Sequence, residues 1–188
     1  MHTGAESTPL FKPPRQLYFK DDGATPNSSL PVLIYHLQWN ADLDPAAALE
    51  RLFESNHWVP LWRAGIFSYH HYHPNAHEVL GVVGGQARVT LGGEKGQTLT
   101  LQAGDVVVLP AGTGHRCEDS SGDFLVVGAY PAGQEDYAIE RPDPRRHAAA
   151  LARIAQVAPP QADPVAGAHG VLSSAWHQPI VQPLREKP

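Results

Sequence analysis

The sequence predicts an all-β protein, a sandwich or barrel of antiparallel strands with two flanking α-helices. Three observations carry this. Between residues 58 and 131 the chain is a series of short alternating or apolar runs broken by glycine and proline, the pattern of many short strands and tight turns. The 17 glycines and 18 prolines among 188 residues suit that pattern. Only two stretches carry a helical signature, one on each side of the strand-rich region.

The elements follow in order. Residues 1–16 are rich in proline and small polar groups and are expected to form a flexible tail. Residues 30–38 are an apolar, β-branched run bounded by Asn27-Ser28-Ser29 and Asn40, hence a strand. A helix follows: Asp44 can cap it, Pro45 takes its first position, and Leu49, Leu52 and Phe53 recur on one face. Residues 17–57 therefore read as a strand and a helix packed on the core, which spans 58–131. Within the core, strands are expected over 65–73, 78–83, 87–91, 98–102, 105–109, 115–118 and 124–130. The stretch LGGEKGQ, 91–97, reads as a hairpin turn. Residues 132–188 hold the second helix and a tail. The helix, RRHAAALARIAQVA, has Leu151, Ile154 and Val157 on its apolar side and is stopped by Pro159-Pro160. From Gln161 on, the Pro- and Gly-rich tail is expected to lie as extended coil over the barrel.

Composition removes several function classes. The net charge is −5 and no basic stripe or helix is present, which argues against a nucleic-acid partner. Cys117 is the single cysteine, so no intramolecular disulfide can form, and a reducing, cytoplasmic setting fits. No segment resembles a signal peptide, and none approaches the roughly 18 apolar residues of a membrane span.

The chemistry concentrates in SYHHYHPNAHEVLG, residues 68–81. On a strand, side chains alternate between faces, so His71 and His73 share one face and His70 and Tyr72 the other. Two imidazoles on one face can converge on a single ion at about 2.0–2.1 Å. Pro74-Asn75-Ala76 reverses the chain, and either His77 or Glu78 then faces the pair; parity leaves both open. A lone His-x-His is more often a polar surface hairpin. A second stretch, GDVVVLPAGTGHRCED, residues 104–119, weakens that reading by opening a strand with His115 directly after a Gly-rich loop.

Here the residues resemble a family. Gly65, His71, His73, Glu78 and Gly85 meet the first cupin motif, G-x5-H-x-H-x4-E-x6-G. Gly104, Pro110, Gly112 and His115 meet the second, G-x5-P-x-G-x2-H-x3-N, with Asp119 at the position of the usual Asn. The resemblance implies a jelly-roll β-barrel holding one divalent metal through His71, His73, Glu78 and His115, and so favours Glu78 over His77. Three imidazoles and a carboxylate suit manganese, iron, cobalt, nickel or zinc, and an octahedral preference would leave about two positions for other ligands. A wider likeness, over 18–176, is to the YjlB-like branch of single-domain bacterial cupins; it implies no particular reaction.

Other residues take lesser roles. Phe67 and Tyr69 share the parity of His71 and His73 and are expected to face the interior, with Tyr69 near the pocket. His70 and His77 are expected off-face, in hydrogen bonds around the site. Cys117 has the parity of His115 and is expected as a small buried thiol close by. Arg88 reads as a solvated strand residue, and Trp58 and Trp62 as core or subunit contacts. His36, His57, His147, His169 and His177 are isolated. The expected function is a metal-dependent enzyme on a small polar molecule, of dioxygenase, decarboxylase or isomerase type. The alternative is a metal-containing binding or sensor protein without turnover. The resemblance implies a homodimer as the default assembly.

Overall fold

The structure, a computed structural model, describes residues 10–39 and 43–177. Its strands are β1 (Leu10–Phe11), β2 (Arg15–Phe19), β3 (Ser28–Gln38), β4 (Trp58–Ala64), β5 (Glu78–Gly84), β6 (Gln86–Leu91), β7 (Gln97–Gln102), β8 (Asp105–Leu109), β9 (His115–Ser120) and β10 (Leu125–Pro131). The helices are α1 (Pro45–Ser55), α2 (His147–Ile154) and α3 (Val171–Ala175). Among the described residues the strands form a seven-stranded sheet, ordered β1-β3-β8-β5-β10-β4 with β2 also on β3, and a three-stranded sheet, β7-β6-β9. Every pairing of these strands is antiparallel.

The larger sheet is buried on both faces. On the inner face Val32, Ile34, Leu80, Val82, Val107, Leu109 and Val126 meet Val89, Leu91 and Cys117 of the smaller sheet. On the outer face Leu33, Tyr35, Val79, Val106, Val108 and Val127 meet Leu49 and Phe53 of α1 and Leu172 and Trp176 of the C-terminal segment. Covered on both sides, β8 can be apolar at every position from Val106 to Leu109, which is why it reads as a continuous run rather than an alternation. The close approach of α1 depends on Gly81: a Cβ there would lie 2.5 Å from Leu49 Cδ1.

Local signals account for the helix. Asp44 Oδ1 accepts hydrogen bonds from the backbone N–H of Ala46 (3.1 Å) and Ala47 (3.5 Å), and Pro45 opens the helix. No helix among the described residues is long and apolar enough to cross a membrane.

Four expectations are corrected. Residues 65–73 form no strand: β4 lies earlier, at 58–64, and after Gly65 the chain leaves β10 and crosses the barrel mouth, where His71 makes a single bridge to His115 and Tyr72 one to Glu140. Residues 10–11 and 15–16, within the expected tail, belong to strands that pair with β3; residues 1–9 lie outside the described residues. The C-terminal segment is not wholly extended, because α3 folds within it and seats Leu172 in the core; residues 178–188 lie outside the described residues. The expected apolar side of α2 is only partly covered: Ile154 and Val157 are half-buried, and Ile154 sits against Gly112. Ala150 is buried, whereas Leu151 is 40% exposed and borders, with Ile154 and Val157, a wide groove against β2 and the 155–161 segment.

Candidate metal centre

Three buried histidines meet at one mouth of the barrel. His71 and His73 lie on the crossing segment, and His115 opens β9. The backbone fixes them in place: His71 N–H donates to His115 O (3.2 Å) and His115 N–H to His71 O (2.9 Å). The crossing segment is also tied to the 136–140 loop. Asn75 Nδ2 donates to Asp136 O (2.8 Å), and the Ala138 N–H donates to Asn75 Oδ1 (2.7 Å). One ligand atom from each of His71, His73 and His115 lies within 4.8 Å of the others, a cluster that could bind a metal ion.

The tautomers are set by carbonyl groups. Nδ1 of His71 lies 3.0 Å from Tyr69 O, that of His73 2.7 Å from Ala138 O, and that of His115 3.0 Å from Thr113 O. A carbonyl only accepts, so each Nδ1 carries hydrogen and each neutral ring keeps its Nε2 lone pair for the cluster.

Glu78 stands beside them at the start of β5. Leu80 and Val82 face the inner core, and Glu78 shares their side of the strand, whereas His77 shares the outer side with Val79. Glu78 Oε2 lies 3.2 Å from His73 Nε2 and 3.0 Å from His115 Nε2. Its other oxygen, Oε1, accepts from the Tyr130 hydroxyl at 2.6 Å, and that hydroxyl accepts from Trp62 Nε1 at 2.9 Å. Trp62 can reach it because Gly128 faces the indole; a Cβ at Gly128 would sit 2.1 Å from the ring. His73 Nε2 and Glu78 Oε2 are buried yet make no hydrogen bond. Two buried polar atoms without a hydrogen bond, at the edge of a three-histidine cluster, fit a cation held there.

The electrostatics agree. Burial pushes the His71 imidazole down to about 3, with the His115 ring beside it adding to the effect, so His71 is neutral at ordinary pH. Burial alone would favour a protonated Glu78, but His73 and His115 outweigh it and hold the carboxyl well below its usual range. Burial also disfavours a charged His73, and the Glu78 carboxylate reverses this and raises it. The enclosed carboxylate is thus offset by the imidazoles beside it, and a cation held by them would offset it in the same way.

The cavity in front of the cluster measures about 190 Å³ and is lined by His71, His73, Glu78 and His115 with Trp62, Ile66, Phe67, Leu80, Tyr130, Tyr137 and Ile139 among others. Phe67 borders it, but the residue is 46% exposed rather than interior. Tyr69 does not line it; it stacks on Phe67 and lies under the Arg141 guanidinium, 4.3 Å away. Cys117 sits in the inner core, where burial pushes its thiol up, and it is not part of the cavity wall. His77 faces away from the cluster. Its Nδ1 accepts from the Ala111 N–H (2.9 Å), its Nε2 lies 3.2 Å from Ala158 O, and its ring packs on Trp176. Arg88 pairs with Asp119 at the surface, and Trp58 is core, donating to Ala162 O. Trp62 is a cavity residue, which its expected role as a core or subunit contact did not capture. Sequence reading also missed Tyr130, Tyr137 and Ile139, which lie beyond both motifs. The signal available for Tyr130 was strand parity: it stands four residues after Val126, on the same inward face of β10.

Comparison with known proteins places these features in context. The cupin domain model matches residues 62–127. Over 160 residues the chain is 40% identical to the uncharacterized protein YjlB of Bacillus subtilis (strain 168), across 85% of this chain and 94% of that one. Among solved structures, an uncharacterized conserved protein with a double-stranded β-helix domain from Klebsiella pneumoniae aligns at 14% identity. The alignment covers 74% of this chain and 88% of that one, with a TM-score of 0.36. The coconut allergen cocosin aligns at 17% identity over 58% of this chain with a TM-score of 0.35, and the chain spans 23% of cocosin's length.

Proposed function

The chain belongs to the cupin family, and from that premise we propose that it is a metal-dependent enzyme acting on a small molecule at the barrel mouth. One divalent first-row transition ion would be held by His71, His73, Glu78 and His115. The observation that supports this reading is the pair of orphaned buried atoms, His73 Nε2 and Glu78 Oε2, beside two further imidazoles whose tautomers leave Nε2 free. Three imidazole nitrogens and a carboxylate suit manganese, iron, cobalt, nickel or zinc. When bound, such an ion supplies Lewis-acid or redox chemistry to a molecule in the cavity.

The chain's own residues do the rest. Tyr130 holds Glu78 Oε1 and so directs Oε2 inward, and the carbonyls of Tyr69, Ala138 and Thr113 aim the rings. Aromatic and aliphatic walls limit the water around a bound molecule. A second reading, a binding or sensor protein without turnover, has one observation in its favour. Apart from the four ligand residues, the titratable side chains lining the cavity are Tyr130 and Tyr137, and the Tyr130 hydroxyl is already engaged on both sides.

Elemental analysis of protein purified without chelator or tag tests the metal reading, beside a His71→Ala/His115→Ala variant. About one first-row metal per chain, lost in the variant, is the expected result. No metal in the wild type, and none on reconstitution, would overturn it. Oxygen consumption by the iron-loaded protein, and product analysis with other metals, then separate an enzyme from a sensor.

A further inference from the structure

We infer that the cavity selects a small molecule with an apolar body and a single anionic head, the head directed at the metal and the body against the aromatic wall. This rests on the metal reading above and names the substrate class of that site.

Three observations carry the inference. The first is the wall. Beyond the four ligand residues, the cavity is faced by Trp62, Ile66, Phe67, Leu80, Tyr137 and Ile139 together with Tyr130, and by no lysine, arginine, serine, threonine, asparagine or glutamine among the described residues. Its polar wall groups are largely spent, because Trp62 Nε1 donates to Tyr130 and Tyr130 donates to Glu78. A molecule rich in hydroxyls would lose its water there and gain few partners in exchange.

The second is charge. Three neutral imidazoles, one carboxylate and a divalent cation leave a centre of net +1. One anionic head neutralises it. A second anion on the same molecule would find no cation on the wall, and burying it unpaired is costly. Arg141 is the nearby candidate, and its guanidinium lies over the Tyr69 ring, a residue outside the wall.

The third is size. About 190 Å³ lies below the roughly 300–1,000 Å³ of pockets for larger ligands. A short chain or one ring fits, whereas a sugar phosphate or nucleotide does not.

Cobalt(II)-loaded protein tests this, with visible absorption of the bound ion as the readout and metal content checked before and after each titration. The probes are acetate, butanoate and succinate. Acetate has the head alone, butanoate adds two methylenes, and succinate carries a second charge on the same carbon count. Butanoate binding about tenfold more tightly than acetate, from the buried methylenes, and at least tenfold more tightly than succinate, is the expected result. In Phe67→Ser/Ile139→Ser, compared at equal cobalt content, the preference for butanoate over acetate shrinks several-fold. Succinate binding as tightly as butanoate, or acetate matching butanoate, would overturn the selectivity while leaving the metal reading intact. Failure to take up cobalt would overturn the metal reading, and the selectivity with it.

Discussion

Tyr130 and Glu78 show how much one hydroxyl can decide. The phenol donates to Oε1 of a wholly buried carboxylate, and burial together with the adjacent Glu78 charge keeps the phenol protonated well beyond ordinary pH. Tyr130→Phe keeps the ring and removes the donor. Metal affinity should fall about 10- to 100-fold with little change in fold, measured by competition against a chromophoric chelator. His77 makes a different prediction. It is neutral by construction, because Nδ1 must accept from Ala111, and burial pushes it down to about 4. The unfolded chain takes up this proton near pH 6.5, so between pH 6.5 and 4 it binds more protons than the folded chain, and stability falls as pH falls through that window. Its share is about 3 kcal/mol at most. Urea unfolding at pH 7 and pH 5 should show a smaller acid loss in His77→Gln, whose amide can both accept and donate, than in wild type. The motif spacings made the three histidines and Glu78 legible in the sequence. They could not separate His77 from Glu78 without a resemblance, because β5 is apolar on both faces and offers no polar side to set the register.

At the level of elements, α1 was the clearest reading because its signals are local. Asp44→Ala should cost about 1 kcal/mol, and Gly81→Ala about 1–3 kcal/mol because the new methyl meets Leu49. Leu151→Ala should cost under about 0.5 kcal/mol, since this residue is exposed; chemical denaturation of the three variants checks the ranking. The helical period of α2 was correct, but period alone does not say which residues the fold covers, and the neighbours of Ala150 are set by distant chain. The crossing segment at 65–77 misled for a related reason. Its strand-like composition and the His71–His73 parity are real, but its backbone partners, Gly112, His115, Cys117 and Glu140, lie far along the sequence and hold it through scattered bonds rather than a continuous ladder. Trp62 became a cavity residue only through Gly128 on the facing strand, a pairing that no local pattern contains.

For the whole molecule, a metal bound by the folded barrel alone would link its occupancy to stability. Under the proposed metal reading, metal at about 100 times its dissociation constant would add about 2.7 kcal/mol, which for a chain of this size is a rise of about 5–10 °C in Tm. Scanning calorimetry before and after chelation should show this difference, and His71→Ala/His115→Ala should abolish it. The larger sheet, covered on both faces, supplies stability that does not depend on the metal, so the chelated protein should still unfold cooperatively. The bridge between His71 and His115 carries one further implication. It joins a segment before β5 to the start of β9, so while the chain emerges from the ribosome the first two histidines and the glutamate exist for some time with no third imidazole to close the cluster. Under the proposed metal reading, the full ligand set therefore exists only once the barrel has closed, and the ion it takes up would reflect what surrounds a finished protein rather than a nascent one.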